Sequence, residues 1–125
     1  MSAMTEVADS FDLTDEPLVP SGRLLTVAGE LDIATAPELR AHLDAAIDAG
    51  TRRLVVDLRP LSFIDSVALA TLLRARKRLG DDGVMAVVAA PDSYVRLILE
   101  VAGMPHCLDV FESREHAVAH VTRSP

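Results

Sequence analysis

LVVDLRPLSFIDSVAL, residues 54–69, is the stretch that decides the fold. Leu54-Val55-Val56-Asp57-Leu58 is mostly apolar and β-branched, the strongest strand signal in the chain. Apolar residues at successive positions imply a strand covered on both faces of its sheet. Pro60 breaks the strand, and Phe63-Ile64 makes a short apolar step up to Asp65-Ser66. A helix follows, with Leu69, Leu72, Leu73 and Leu79 on one stripe and Gly80 at its end.

The same alternation continues outward in both directions. Upstream, Leu24-Leu25-Thr26-Val27-Ala28 is a compact apolar run closed by Gly29. Thr35 and Glu38 have capping-box spacing, with Pro37 in the first turn, and Ala36, Leu39, Leu43, Ala46 and Ile47 recur on one helical face up to Gly50. Downstream, Val84–Val88 is a second buried strand. Pro91-Asp92 opens a helix with Tyr94, Leu97, Ile98 and Val101 at helical spacing, ended by Gly103 and Pro105. Leu108–Phe111 is a short last strand, and Ser113 begins a terminal helix with Ala117, Val118 and Val121 inward. Strands alternating with helices predict one α/β domain, with a mixed, mostly parallel sheet of four to five strands and about four helices. Sites in such sheets form beyond the carboxyl ends of the strands, so the junction at Ile64-Asp65-Ser66 is the first place to look.

Composition narrows the class of function. The chain has 125 residues, one cysteine and a formal net charge of −7. No intrachain disulfide is possible with Cys107 alone, which fits a reducing compartment. The start of the chain shows no basic segment followed by an apolar run, and no apolar stretch is long enough to span a bilayer, so cytoplasm is expected, without membrane insertion. Residues 1–20 hold Glu6, Asp9, Asp12, Asp15 and Glu16 and no base. They are expected to be a mobile acidic leader, with a short edge strand possible near residues 11–13, and residues 21–125 to be the folded domain. Acidic balance and few aromatics argue against direct binding to nucleic acid. Nothing in the sequence sets an oligomeric state.

Ser66 admits two readings. As an N-cap its oxygen accepts a hydrogen bond from an early helical N–H. The same position, beside unpaired N–H groups and the positive end of a helix dipole, tolerates a phosphate. Phosphorylation there adds about −1.5 to −2 charge next to Asp65 without unfolding the helix. Other motifs carry less. Arg74, Arg76, Lys77 and Arg78 suit the negative end of their helix, or serve as a handle for an acidic partner. His116 and His120 have i, i+4 spacing but no third ligand nearby, so no metal site is expected. Asp57 lacks the acidic cluster of a receiver-type phosphoacceptor and is expected to close its strand with a hydrogen-bonded turn. No glycine-rich phosphate loop or nucleophile elbow occurs, so no enzyme activity and no cofactor are expected.

Gly29-Glu30-Leu31-Asp32, Val55-Val56-Asp57-Leu58 and Leu61–Leu69 together resemble the STAS domain, and specifically the bacterial anti-sigma-factor antagonists. The resemblance runs from about Arg23 to about Val121. It implies that Ser66 is phosphorylated by a partner that is both anti-sigma factor and serine kinase. The unphosphorylated form then binds that partner and frees the sigma factor, and phosphorylation ends the complex. The kinase supplies ATP and magnesium. The resemblance also places Asp32 and Asp65 near the docking surface with Ser66. Where the family usually has a second hydroxyl and a glycine after the serine, this chain has Val67 and Ala68. Val67 removes an alternative acceptor, and Ala68 adds a methyl where a partner would approach. The alternative within the same fold is a STAS scaffold or transporter-associated subunit that is not phosphorylated, with Ser66 only a cap and Val67 and Ala68 in a permanent interface. A small enzyme with its site at the same strand ends is a third, weaker alternative.

Overall fold

The computed structural model describes residues 11–18 and 21–123. Among them lie six strands and four helices: β1 (Phe11–Leu18), β2 (Gly22–Leu31), α1 (Ala36–Asp48), β3 (Arg53–Asp57), β4 (Leu61–Ile64), α2 (Ser66–Leu79), β5 (Val84–Val88), α3 (Tyr94–Val101), β6 (Asp109–Phe111) and α4 (Arg114–Thr122). The strand order is β1-β2-β3-β5-β6, with β4 also paired to β2. Only β1–β2 is antiparallel, and every other pair is parallel. The α/β class and the mostly parallel sheet are therefore those the sequence predicts, with one strand more than expected.

Two differences account for the larger sheet. The edge strand is eight residues long, not three. Phe11 and Leu13 pack on the core while Asp12, Thr14 and Glu16 face solvent, so its alternation continues through charged residues that hide it. Pro17 and the acids suit an outer edge, where no further strand pairs among the described residues. The remainder of the expected leader lies outside the described residues. The second difference is β4, read from sequence only as an apolar step. It lies parallel to the end of β2, pairing Gly29, Glu30 and Leu31 with Leu61, Phe63 and Ile64.

Strand alternation divides the apolar residues between two cores. Leu25, Val27, Leu54, Val56, Met85 and Val87 join Leu39, Leu43, Leu72 and Ala75 in the larger one, under α1 and α2. Leu24, Val55, Ala86 and Val88 pack with Ala117 and Val121 of α4 on the opposite face. That double cover is why β3 and β5 read as continuous apolar runs.

In α3 the expected stripe is displaced. Val95 and Leu99 are buried, whereas Tyr94, Leu97 and Val101 are exposed. The helix opens at Ser93 rather than at Pro91-Asp92, because the Ser93 hydroxyl accepts from the Arg96 N–H at 3.0 Å. The basic end of α2 is not a free handle: Arg74 and Arg78 pair with Asp44, Arg78 also pairs with Asp48, and these contacts link α1 to α2. They hold the Asp44 carboxyl below its usual range, the Arg74 hydrogen bond contributing most. His120 contacts Asp109 at 2.9 Å and packs beside the Phe111 ring, so it is half-buried.

Candidate functional site

β2 and β4 run parallel and end together, bringing the residues that follow them side by side. After β2 the chain turns through Asp32-Ile33-Ala34-Thr35 into α1. After β4 it passes through Asp65 directly into α2. Leu31 C=O accepts the Asp65 N–H at 3.2 Å, which keeps Asp65 extended at the strand end.

Asp65, not Ser66, is the N-cap of α2: its Oδ1 accepts from the Ala68 N–H at 3.0 Å. The cap reading of Ser66 is therefore corrected. Ser66 is the first helical residue, exposed, and among the described residues nothing holds its hydroxyl. Ala68 is corrected as well. It is fully buried in the larger core, so its methyl is turned away from any partner. Val67 remains on the surface, 40% exposed.

Asp32 organises its own turn. Its Oδ1 accepts from the Ala34 N–H at 2.9 Å and the Thr35 N–H at 3.1 Å. The Thr35 hydroxyl donates to Glu30 C=O at 2.8 Å and accepts from the Asp32 N–H at 2.9 Å. This replaces the predicted capping box: Thr35 sits at the cap position with helical backbone and bonds no helical N–H. Asp32→Ala should cost about 1 kcal/mol. Urea unfolding checks this, with a midpoint lower than that of the wild type.

Several contributors were not anticipated from the sequence. Ile33 is 71% exposed at the tip of the β2–α1 turn, and its N–H reaches across to Asp65 Oδ2 at 3.1 Å. Phe63 and Tyr94 stack with ring centroids 5.9 Å apart, and both are exposed. An apolar residue inside a polar turn was a visible signal for Ile33. The aromatic pair had none, because Phe63 and Tyr94 lie on different elements. Ser66 thus lies between Asp65, whose carboxylate bonds the Ile33 turn, and the exposed Val67, and Phe63 is exposed on the strand that leads into it. Chemically, the arrangement offers an exposed serine hydroxyl next to an exposed apolar side chain, Val67. No group of three His, Cys, Asp or Glu able to hold a metal occurs among the described residues, and His116 and His120 do not form one.

Asp57, the last residue of β3, makes the expected turn: its Oδ1 accepts from the Arg59 N–H at 3.0 Å. It also does more. Fully buried, it accepts from the Arg59 guanidinium and, through Oδ2, from Arg114 Nε at 3.0 Å. Burial pushes its carboxyl up, but the Arg59 and Arg114 hydrogen bonds outweigh that, and the net direction is down.

A family model described as the STAS domain matches residues 12–117. The chain is 35% identical over 91 residues, 73% of its length, to BtrV of Bordetella bronchiseptica, named as a candidate anti-sigma factor antagonist, covering 78% of that protein. It is 29% identical over 89 residues to the anti-sigma-B factor antagonist of Staphylococcus aureus, covering 71% of this chain and 82% of that one. Among solved structures, an anti-sigma factor antagonist from Mycobacterium paratuberculosis superposes with a TM-score of 0.84 at 26% identity, covering 92% of this chain and 97% of the other.

Proposed function

The chain belongs to the STAS domain family, and from that premise we propose that it is an anti-sigma-factor antagonist whose binding is switched off by phosphorylation of Ser66. One observation carries the reading: the Ser66 hydroxyl is exposed at the first position of a helix, next to the exposed Val67, with no hydrogen-bond partner among the described residues. The anti-sigma factor, itself a serine kinase, docks over this surface in the cytoplasm. While bound it cannot hold its sigma factor.

The kinase then brings ATP to the same place. The Ser66 oxygen attacks the γ-phosphorus, a new O–P bond forms as the bond to the ADP oxygen breaks, and the hydroxyl proton passes to a base of the kinase. The product carries a dianionic group where apolar contacts had been made. Desolvating it costs more than the helix N-terminus returns, so the complex separates. Because Asp65 already caps α2, the fold does not depend on Ser66 in either state.

The test is a phosphorylation assay. The full chain is incubated with ATP and each anti-sigma serine kinase encoded in the same genome, and intact mass is measured for wild type and Ser66→Ala. One phosphate on the wild type and none on the variant supports the switch. No phosphate on wild type with any of these kinases overturns it.

A further inference from the structure

We propose that Asp65 does not contact the partner but assembles the docking surface, by tying the Ile33 turn to the start of α2. This rests on the docking surface proposed above. The two oxygens of one carboxylate serve different elements: Oδ1 accepts from Ala68 N–H within α2, and Oδ2 accepts from Ile33 N–H, 32 residues away in sequence. The base of the Ile33 turn is stitched to itself and to β2 by Asp32 and Thr35. Its tip is not. Among the described residues, the bond to Asp65 is the one hydrogen bond that joins Ile33 to the β4–α2 junction.

The consequence follows from exposure. Ile33 is the most exposed residue of the apolar group around Ser66, so little packing holds its side chain in place. A partner that covers both Ile33 and Ser66 meets a preformed surface only while the turn is fixed, and fixing a loose turn on binding weakens the complex. A carboxylate is needed because it accepts on both oxygens. Asparagine caps a helix as well as aspartate does, but it presents an N–H₂ to Ile33 N–H, donor against donor. Serine caps with its single oxygen and cannot serve both.

Asp65→Asn and Asp65→Ser are therefore compared with wild type and Ile33→Ala. Amide exchange followed by NMR needs no partner. In both Asp65 variants, Ile33 N–H is expected to exchange about tenfold faster or more, while Ala68 N–H keeps its protection. With a kinase that phosphorylates wild type, the KM for Asp65→Asn is expected to rise several-fold with kcat little changed, since Ser66 stays on an intact helix. In the Ile33→Ala background, Asp65→Asn should raise KM no further, because the turn then carries nothing to position. Unchanged Ile33 exchange in both Asp65 variants overturns the tether. Faster exchange with unchanged KM overturns its role in docking. If no kinase phosphorylates wild type, the switch fails, and the exchange data still decide whether Asp65 holds the turn.

Discussion

Ser66→Asp is expected to weaken binding to the anti-sigma factor by about tenfold or more, equivalent to about 1.4 kcal/mol, while leaving thermal stability almost unchanged. The two halves of this result come from different parts of the geometry. Stability is insensitive because Ser66 makes no cap and its side chain is exposed. An acid in the first turn of a helix is mildly favourable, so the melting temperature should hold or rise slightly. Binding is sensitive because the new charge stands between Asp65 and the exposed Val67, where a partner must remove water. Isothermal titration and a thermal melt on the same preparation measure both. A large fall in melting temperature would show that Ser66 supports the helix after all. Full affinity with an unchanged melt would show that the partner does not cover this residue.

Much of the plan was legible because buried strands and amphipathic helices leave periodic traces. β3 and β5, covered on both faces, appear as unbroken apolar runs, and the stripes of α1 and α2 face the core as read. The failures have physical causes. β4 has four residues, two of them exposed, and owes its strand state to pairing with β2 rather than to its own composition. In α3, YVRLILEV is apolar on almost every face, so spacing cannot single out a stripe; the sheet beneath selects Val95 and Leu99 and leaves Tyr94, Leu97 and Val101 outside. At the candidate site, Asp65 and Ser66 are adjacent residues that both cap helices well. The choice falls to Asp65 because Leu31 C=O holds its N–H and keeps it extended, a contact set by strand pairing 34 residues away. The start of a helix at Ser66 was legible, while the Ile33–Asp65 hydrogen bond depends on the register of β2 against β4.

Removing both Arg59 and Arg114, as Arg59→Met with Arg114→Met, is expected to destabilise the protein by about 3–5 kcal/mol and to reverse how Asp57 responds to pH. The cluster fixes α4 to the sheet: Arg114 reaches Asp57 on β3 and Thr26 on β2, while Arg53 Nε at the other end donates to Val121 C=O at 2.8 Å. Both arginine heads reach solvent in part, so losing Asp57 would leave them some hydration. Losing the arginines leaves a fully buried carboxylate with only the Arg59-position backbone N–H, which is the costlier direction. The pH response follows from the sign of the shift. In wild type the folded carboxyl lies below its ordinary 3.8, so Asp57 contributes stability that is present above that value and is lost as pH falls through the lower, folded one. Without the arginines, only the backbone N–H of position 59 opposes burial, and the carboxyl is expected to rise above its unfolded value. The buried charge then costs stability at neutral pH, and protonation relieves that cost as pH falls. Urea unfolding between about pH 7 and about pH 5 should therefore show the gap between wild type and variant narrowing towards acid. A gap that stays constant over that range would mean that water reaches Asp57 once the arginines are gone, and that α4 is held by Ala117 and Val121 packing rather than by the charge cluster.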